Sequence, residues 1–134
     1  MAAEGNDAPF SISIEGEVTG EKWAGDFSAK KRLSHRDALR KDQVRRELLG
    51  AQPGEPSDRA LSIAVILSEL SVRLTRTPRW WSEKNGGLDL DDENVLAEVY
   101  QKAIDIEVQD AKQRKEKAEE AIKEMRASVG SDNK

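Results

Sequence analysis

Alternating apolar and polar positions open the chain. Phe10, Ile12, Ile14 and Val18 share one face, with Ser11, Ser13, Glu15 and Glu17 opposite. Thr19-Gly20-Glu21-Lys22 has turn composition, after which Trp23, Phe27, Ala29 and Leu33 resume alternate positions around Gly25. Two period-two runs about a glycine-containing turn predict a β-hairpin. A lone hairpin is marginal in water, so its apolar face needs a cover from elsewhere in the chain or from a partner. Residues 1–8 are small and polar and are expected to be flexible.

The period then changes to that of a helix. Ser34 followed by Asp37 forms a capping-box pattern ahead of HRDALRKDQVRRELL, and Gly50 is placed to end that helix. Its apolar positions are Leu39, Val44, Leu48 and Leu49. AQPGEP connects to a second helix beginning at Ser57, which Pro78 is expected to terminate. Ala60, Leu61, Ala64, Leu67 and Leu74 lie on one side of it, widened by Ile63, Ile66 and Leu70. This is the most apolar helix and the expected centre of the core. RWWSEKNGGLDL reads as an irregular segment with a turn at Asn85-Gly86-Gly87.

From Asp92 to Ala127 there is neither proline nor glycine. Asp91 is the expected N-cap of this last helix, with Asp92 and Glu93 complementing its positive end. Val95, Leu96, Val99, Tyr100, Ala103 and Ile104 give its first part a solid apolar face. Beyond that a thin seam continues at alternating spacings of four and three: Ile104, Val108, Ala111, Lys115, Ala118, Ile122, Met125 and Val129. Such spacing belongs to a helix that packs lengthwise on another helix. The fold expected is therefore α+β and mainly α: an N-terminal β-hairpin followed by three helices, the last long and partly extended from the domain. One globular domain spans residues 9–106, and a charged helical extension spans 107–134.

Composition narrows the chemistry. Apolar residues make up 37% of the 134 positions and charged residues 36%, with the charge concentrated in the extension, so residues 9–106 can still bury a core. Without cysteine there are no disulfides, thiolate zinc sites or cysteine nucleophiles. The first ten residues lack signal-peptide regions, and the longest apolar run, Ile63–Leu67, is too short to cross a bilayer. A soluble, cytoplasmic protein is expected.

Each candidate site competes with a plainer explanation. His35, the single histidine, stands in the first turn of a helix and reads as exposed rather than catalytic. Asp89, Asp91, Asp92 and Glu93 lack the spacing of a calcium loop, and capping explains the last three, so no metal or cofactor is expected. Arg32, Arg36 and Arg40 recur every four residues within a segment, 31–59, of net charge +3. Interleaved Asp37, Asp42 and Glu47, with no aromatic readers, favour a salt-bridged face over a nucleic-acid surface. Trp80 and Trp81 are candidate interface anchors, one ring entering the core and Trp81 favoured as that inward ring; the plainer reading, of equal weight, is that both rings simply close the core. Ile104, Val108, Ala111, Ile122 and Met125 complete the expected interface, with self-association through the last helix as one use. No catalytic motif is recognisable, so a protein that binds proteins, and not an enzyme, is expected.

Taken in order, SISIEGEVTGEKWAGDFSAKKRLS, the basic helix ending in RRELLG, the apolar helix leading to PRWW, and GLDLDDENVLAEVY resemble small proteins encoded among the morphogenesis genes of tailed bacteriophages. The likeness covers roughly residues 10–106 and is greatest to tail-assembly-chaperone-type proteins. It implies stoichiometric, transient binding to other phage structural proteins (tail tube, tape measure or capsid) in the host cytoplasm during assembly. Those chaperones are mostly helical, and the hairpin here departs from that pattern. A permanent component of the virion head or tail is therefore a second expectation. A small nucleic-acid-binding regulator acting through Arg32, Arg36 and Arg40 is a third.

Overall fold

A computed structural model describes residues 5–50 and 54–132. It is an α+β fold with a three-stranded antiparallel sheet followed mainly by helices. Strands β1 (Asp7–Glu15) and β2 (Lys22–Lys30) form the hairpin that the alternation predicts. Phe10 pairs with Phe27, Ile12 with Gly25 and Ile14 with Trp23, so all six face the same side of the sheet. Val18 leaves that pattern. It lies in the connecting loop, exposed, because the chain turns from Gly16 onward rather than at Thr19. At the other end the strand begins before residue 9: Asp7 and Ala8 pair with Lys30 and Ala29, and Asn6 bonds the backbone of Arg32. Residues 1–4 of the expected flexible terminus lie outside the described residues.

Helix α1 (His35–Leu49) starts on the expected capping box. Ser34 Oγ accepts from the Asp37 amide at 3.1 Å, and the Asp37 carboxylate accepts from the Ser34 amide at 2.9 Å. The second Asp37 oxygen holds Lys30 at 2.8 Å, which ties the helix start to β2. Helix α2 (Asp58–Arg73) is capped by Ser57 and buries Ala64, Leu67 and Leu70. It ends well before Pro78. Leu74–Arg76 instead form β3, which adds to the open edge of β2. The restriction that Pro78 places on Thr77, and the β-branched Thr75, favour this extended passage.

The segment expected to be irregular contains a fourth, short helix, α3 (Arg79–Glu83), followed by a single 3-10 turn at Asn85–Gly87. Helix α4 (Glu93–Asp132) is continuous for 40 residues, about 60 Å at 1.5 Å per residue. Val95, Leu96, Val99 and Ala103 bury its first part against the inner face of the sheet and α2. Contacts with the head run slightly past residue 106: Glu107 pairs with Arg73 and Asp110 with Arg32. From Ala111 to Val129 every residue is exposed, so the extension projects from the domain as its composition implied.

Candidate functional site

The projecting arm is aimed by a polar clamp at the base of α4. Asp92, wholly buried, does not spend its side chain on its own helix. Its Oδ1 accepts from the amides of Val18 and Thr19 at 2.8 and 2.9 Å, and its Oδ2 accepts from Thr19 Oγ1 at 2.6 Å and Trp23 Nε1 at 3.0 Å. Four donors on one carboxylate hold its charged form, as charge-assisted bonds do. The Thr19 hydroxyl contributes most, burial opposes it, and the amides and the Trp23 indole add to it, which lowers the pKa to about 2. Asn94 completes the clamp by accepting from the Glu17 amide at 3.0 Å and donating to the Glu15 carbonyl at 2.9 Å. Glycine is required at Gly16, where a Cβ would fall 2.2 Å from Asp92 Oδ2.

This arrangement corrects the expected capping. Asp91 is exposed, and Asp92 occupies the residue before α4. Glu93 pairs with Arg59, and Asp89 bonds Asn85. The acidic cluster is thus divided among separate partners. Among the described residues no group of histidine and carboxylate side chains is placed to hold a metal ion, and no helix is long and apolar enough to cross a membrane.

Trp80 and Trp81 are not on opposite sides of an extended segment. They sit in one turn of α3, their ring centroids 6.0 Å apart. Trp81 is buried and meets Phe27 edge-on at 5.6 Å. Trp80, half-buried, lies over Gly25, contacts Trp23 at 4.8 Å, and donates its indole hydrogen to the Ala24 carbonyl at 2.8 Å. Phe10 stacks on Phe27 at 5.1 Å, so all three tryptophans and both phenylalanines of the chain belong to one cluster. Both rings therefore serve the core, and the polar handle of Trp80 is already used.

The basic stripe is divided. Arg36 and Arg40 lie exposed on α1, but Arg32 precedes the helix and approaches Asp110 of α4 at 3.7 Å. Arg40 reaches only Gln43. His35 is exposed at the first residue of α1. Along the seam Ile104 is half-buried, whereas Ala111 is exposed and Val108, Ile122 and Met125 are 55%, 50% and 65% exposed.

An unexpected groove lies beside α1, which buries none of its residues although Leu39, Val44, Leu48 and Leu49 suggested a core face. Eight of its fifteen residues are charged, which was the available signal that it sits at the periphery. Lys41 holds it to α2 by pairing with Glu69 at 2.8 Å, and Glu69 in turn holds Arg73 at 2.6 Å. Burial raises the pKa of Glu69, but hydrogen bonds from Lys41 and Arg73 outweigh that and leave it lowered. Between the two helices runs a groove of about 510 Å³ with a mixed lining, Leu48, Leu49, Ala60, Ile63 and Leu88 alongside the polar Glu55 and Ser57. It is continued toward Trp81 by a smaller pocket of about 170 Å³ that shares Leu48 and Leu88. No family model, curated protein or solved structure matches the chain.

Proposed function

We propose that the protein is a non-enzymatic assembly protein that shields an apolar segment of another polypeptide. The observation that carries this reading is the groove between α1 and α2, with Leu48 and Leu88 substantially exposed at its rim. Apolar side chains left uncovered around a concave surface suit a binding site for an apolar segment. The partner class, a tail-tube, tape-measure or capsid protein of a tailed phage, rests on the sequence resemblance. On this reading the protein acts in the host cytoplasm during assembly.

Co-expression with tail-tube, tape-measure and capsid proteins of tailed phages is the test. One of them is expected to co-purify, and a Leu48→Glu/Leu88→Glu variant that melts like the parent is expected to lose it. Failure of every such protein to bind, or equal capture by the variant, overturns the reading. A permanent virion component is the second reading, favoured by the antiparallel sheet, which departs from a mostly helical chaperone. Fixed-stoichiometry abundance in purified virions, measured by mass spectrometry, would select it over transient shielding.

A further inference from the structure

We infer that the projecting half of α4 is a dimerisation arm, whose partner is the same helix of a second copy aligned parallel and in register. This inference stands apart from the groove and concerns a different face of the molecule.

The first support is where the seam points. Ile106, Asp110 and Gln113 mark the side of α4 that faces the head, lining a hollow with Phe10. At about 100° per residue, Val108, Ala111 and Lys115 lie roughly 140–200° round the helix from Ile106. The seam therefore looks away from the head, and two arms can meet along it with their heads on opposite outer sides. From Val108 to Val129 it runs about 32 Å along the axis.

The second support is the type of residue in each place. With Val108 at position a, the a sites are Val108, Lys115, Ile122 and Val129, and the d sites are Ala111, Ala118 and Met125. β-Branched residues at a favour two parallel strands when leucine fills d; here only the a sites meet that rule, and a single lysine at a restricts register and number at some loss of stability.

The third support is charge. The g positions include Glu107 and Arg114, and the e positions include Lys112 and Glu119. In a parallel, in-register pair each g faces the e five residues later on the other helix. Glu107, whose Oε2 already holds Arg73 of its own head at 2.8 Å, then has only its other oxygen to offer Lys112, and Arg114 meets Glu119, twice each across the symmetric pair. The antiparallel alignment that sets Lys115 against Ala118 retains only Lys112 opposite Glu119, because Arg114 then meets Ala121 and Glu107 meets Ser128. Arg114 contacts Asp110 through Nε, which leaves its outer nitrogens to reach across.

The test is sedimentation equilibrium of the full chain, with the head monitored through tryptophan fluorescence. The mass is expected to rise with concentration to twice 14.9 kDa. Lys115→Ile should tighten the dimer at least about tenfold. Glu119→Arg should loosen it about tenfold, and Arg114→Glu added to it should restore it. Because the chain has no cysteine, Ala118→Cys should form a disulfide-linked dimer on oxidation. A mass that stays at the monomer for the parent and for Lys115→Ile overturns the inference. So does a trimer, or cross-linking that occurs only between Lys115→Cys and Ala118→Cys chains, the antiparallel signature. Each of these results leaves capture by the groove unaffected, so the two readings fail separately.

Discussion

Asp92 accepts a hydrogen bond from the indole nitrogen of Trp23 across 3.0 Å, joining the start of the longest helix to the loop end of the hairpin. The same carboxylate gathers the hairpin loop through Val18 and Thr19. One buried side chain thus fixes both the shape of the loop and the angle at which α4 crosses the sheet. Since the exposed arm is the continuation of that helix, the clamp also sets the direction in which the arm leaves the head.

Acid should loosen this clamp. The pKa of Asp92 is lowered from 3.8 to about 2 in the folded chain, so folding favours its ionised form. Stability from this group is fully present above the unfolded value and is lost as the pH falls through 3.8 toward 2. Asp37, lowered by its bond to Lys30 and then by the Ser34 amide, and Glu69 add to the same acid limb. Melting followed from pH 7 to pH 2 should be flat at first and fall below about pH 4. Asp92→Asn should melt lower at pH 7 and show a shallower acid limb. An unchanged limb in that variant would show that the clamp does not couple to protons.

Gly16→Ala tests the same junction sterically. The added methyl would meet Asp92 Oδ2 at 2.2 Å and Cγ at 2.3 Å, far inside contact distance. Either the loop or α4 must move, at a cost of about 1–3 kcal/mol, the usual range for overpacking. Gly20→Ala is the useful contrast. Among the described residues, nothing beyond its chain neighbours lies within 4 Å of where a Cβ would stand, though its φ of +75° strains any side chain. Denaturant unfolding should rank Gly16→Ala as the more damaging change.

The two adjacent tryptophans should both be costly to remove. Trp81→Ala is expected to destabilise by about 3–5 kcal/mol, as for a buried large aromatic. Trp80→Ala should cost about 3 kcal/mol, near the low end of that range, because the ring is half-buried yet covers Trp23 and Phe27. Urea denaturation checks both. A loss under about 1 kcal/mol for Trp80→Ala would return that ring to the role of an exposed anchor.

Local signals were legible in the sequence, and relationships between distant segments were not. The pairing of Phe10, Ile12 and Ile14 with Trp23, Gly25 and Phe27 follows from alternation alone, and the Ser34–Asp37 capping box from a spacing of three. The seam from Val108 to Val129 is likewise a periodic pattern, so its place on the arm was readable. By contrast, Val18 fits the alternation but is drawn into a loop by Asp92, 74 residues away. Strand β3 exists because β2 offers an open edge, which nothing within Leu74–Arg76 announces. The groove beside α1 depends on how two helices sit against each other. Leu39 illustrates the limit: its spacing suits a core face, yet it is 74% exposed because none of the described elements covers that side of α1.

The boundary between head and arm gives the last prediction. At concentrations where the chain is monomeric, truncation after Gln113 should melt like the full chain, because the side chains from 114 to 129 are exposed and the head's contacts with α4 end near Asp110 and Gln113. Truncation after Ile106 should be different. It removes Glu107, which holds Arg73 Nη2 at 2.8 Å, and Arg73 is only 5% exposed. Arg73 would keep Glu69 on Nε at 2.6 Å, but its Nη1 already lacks a partner among the described residues. A second unpartnered nitrogen on a buried cation should cost about 1–3 kcal/mol, the desolvation left uncompensated when one partner is removed. Glu107→Gln in the full chain isolates the effect, since it keeps a hydrogen-bond acceptor but not the charge, and should lose less than the shorter truncation. Thermal melts of the three variants decide the matter: equal stability in all of them would mean that the head ends before Glu107 and that Arg73 is satisfied without it.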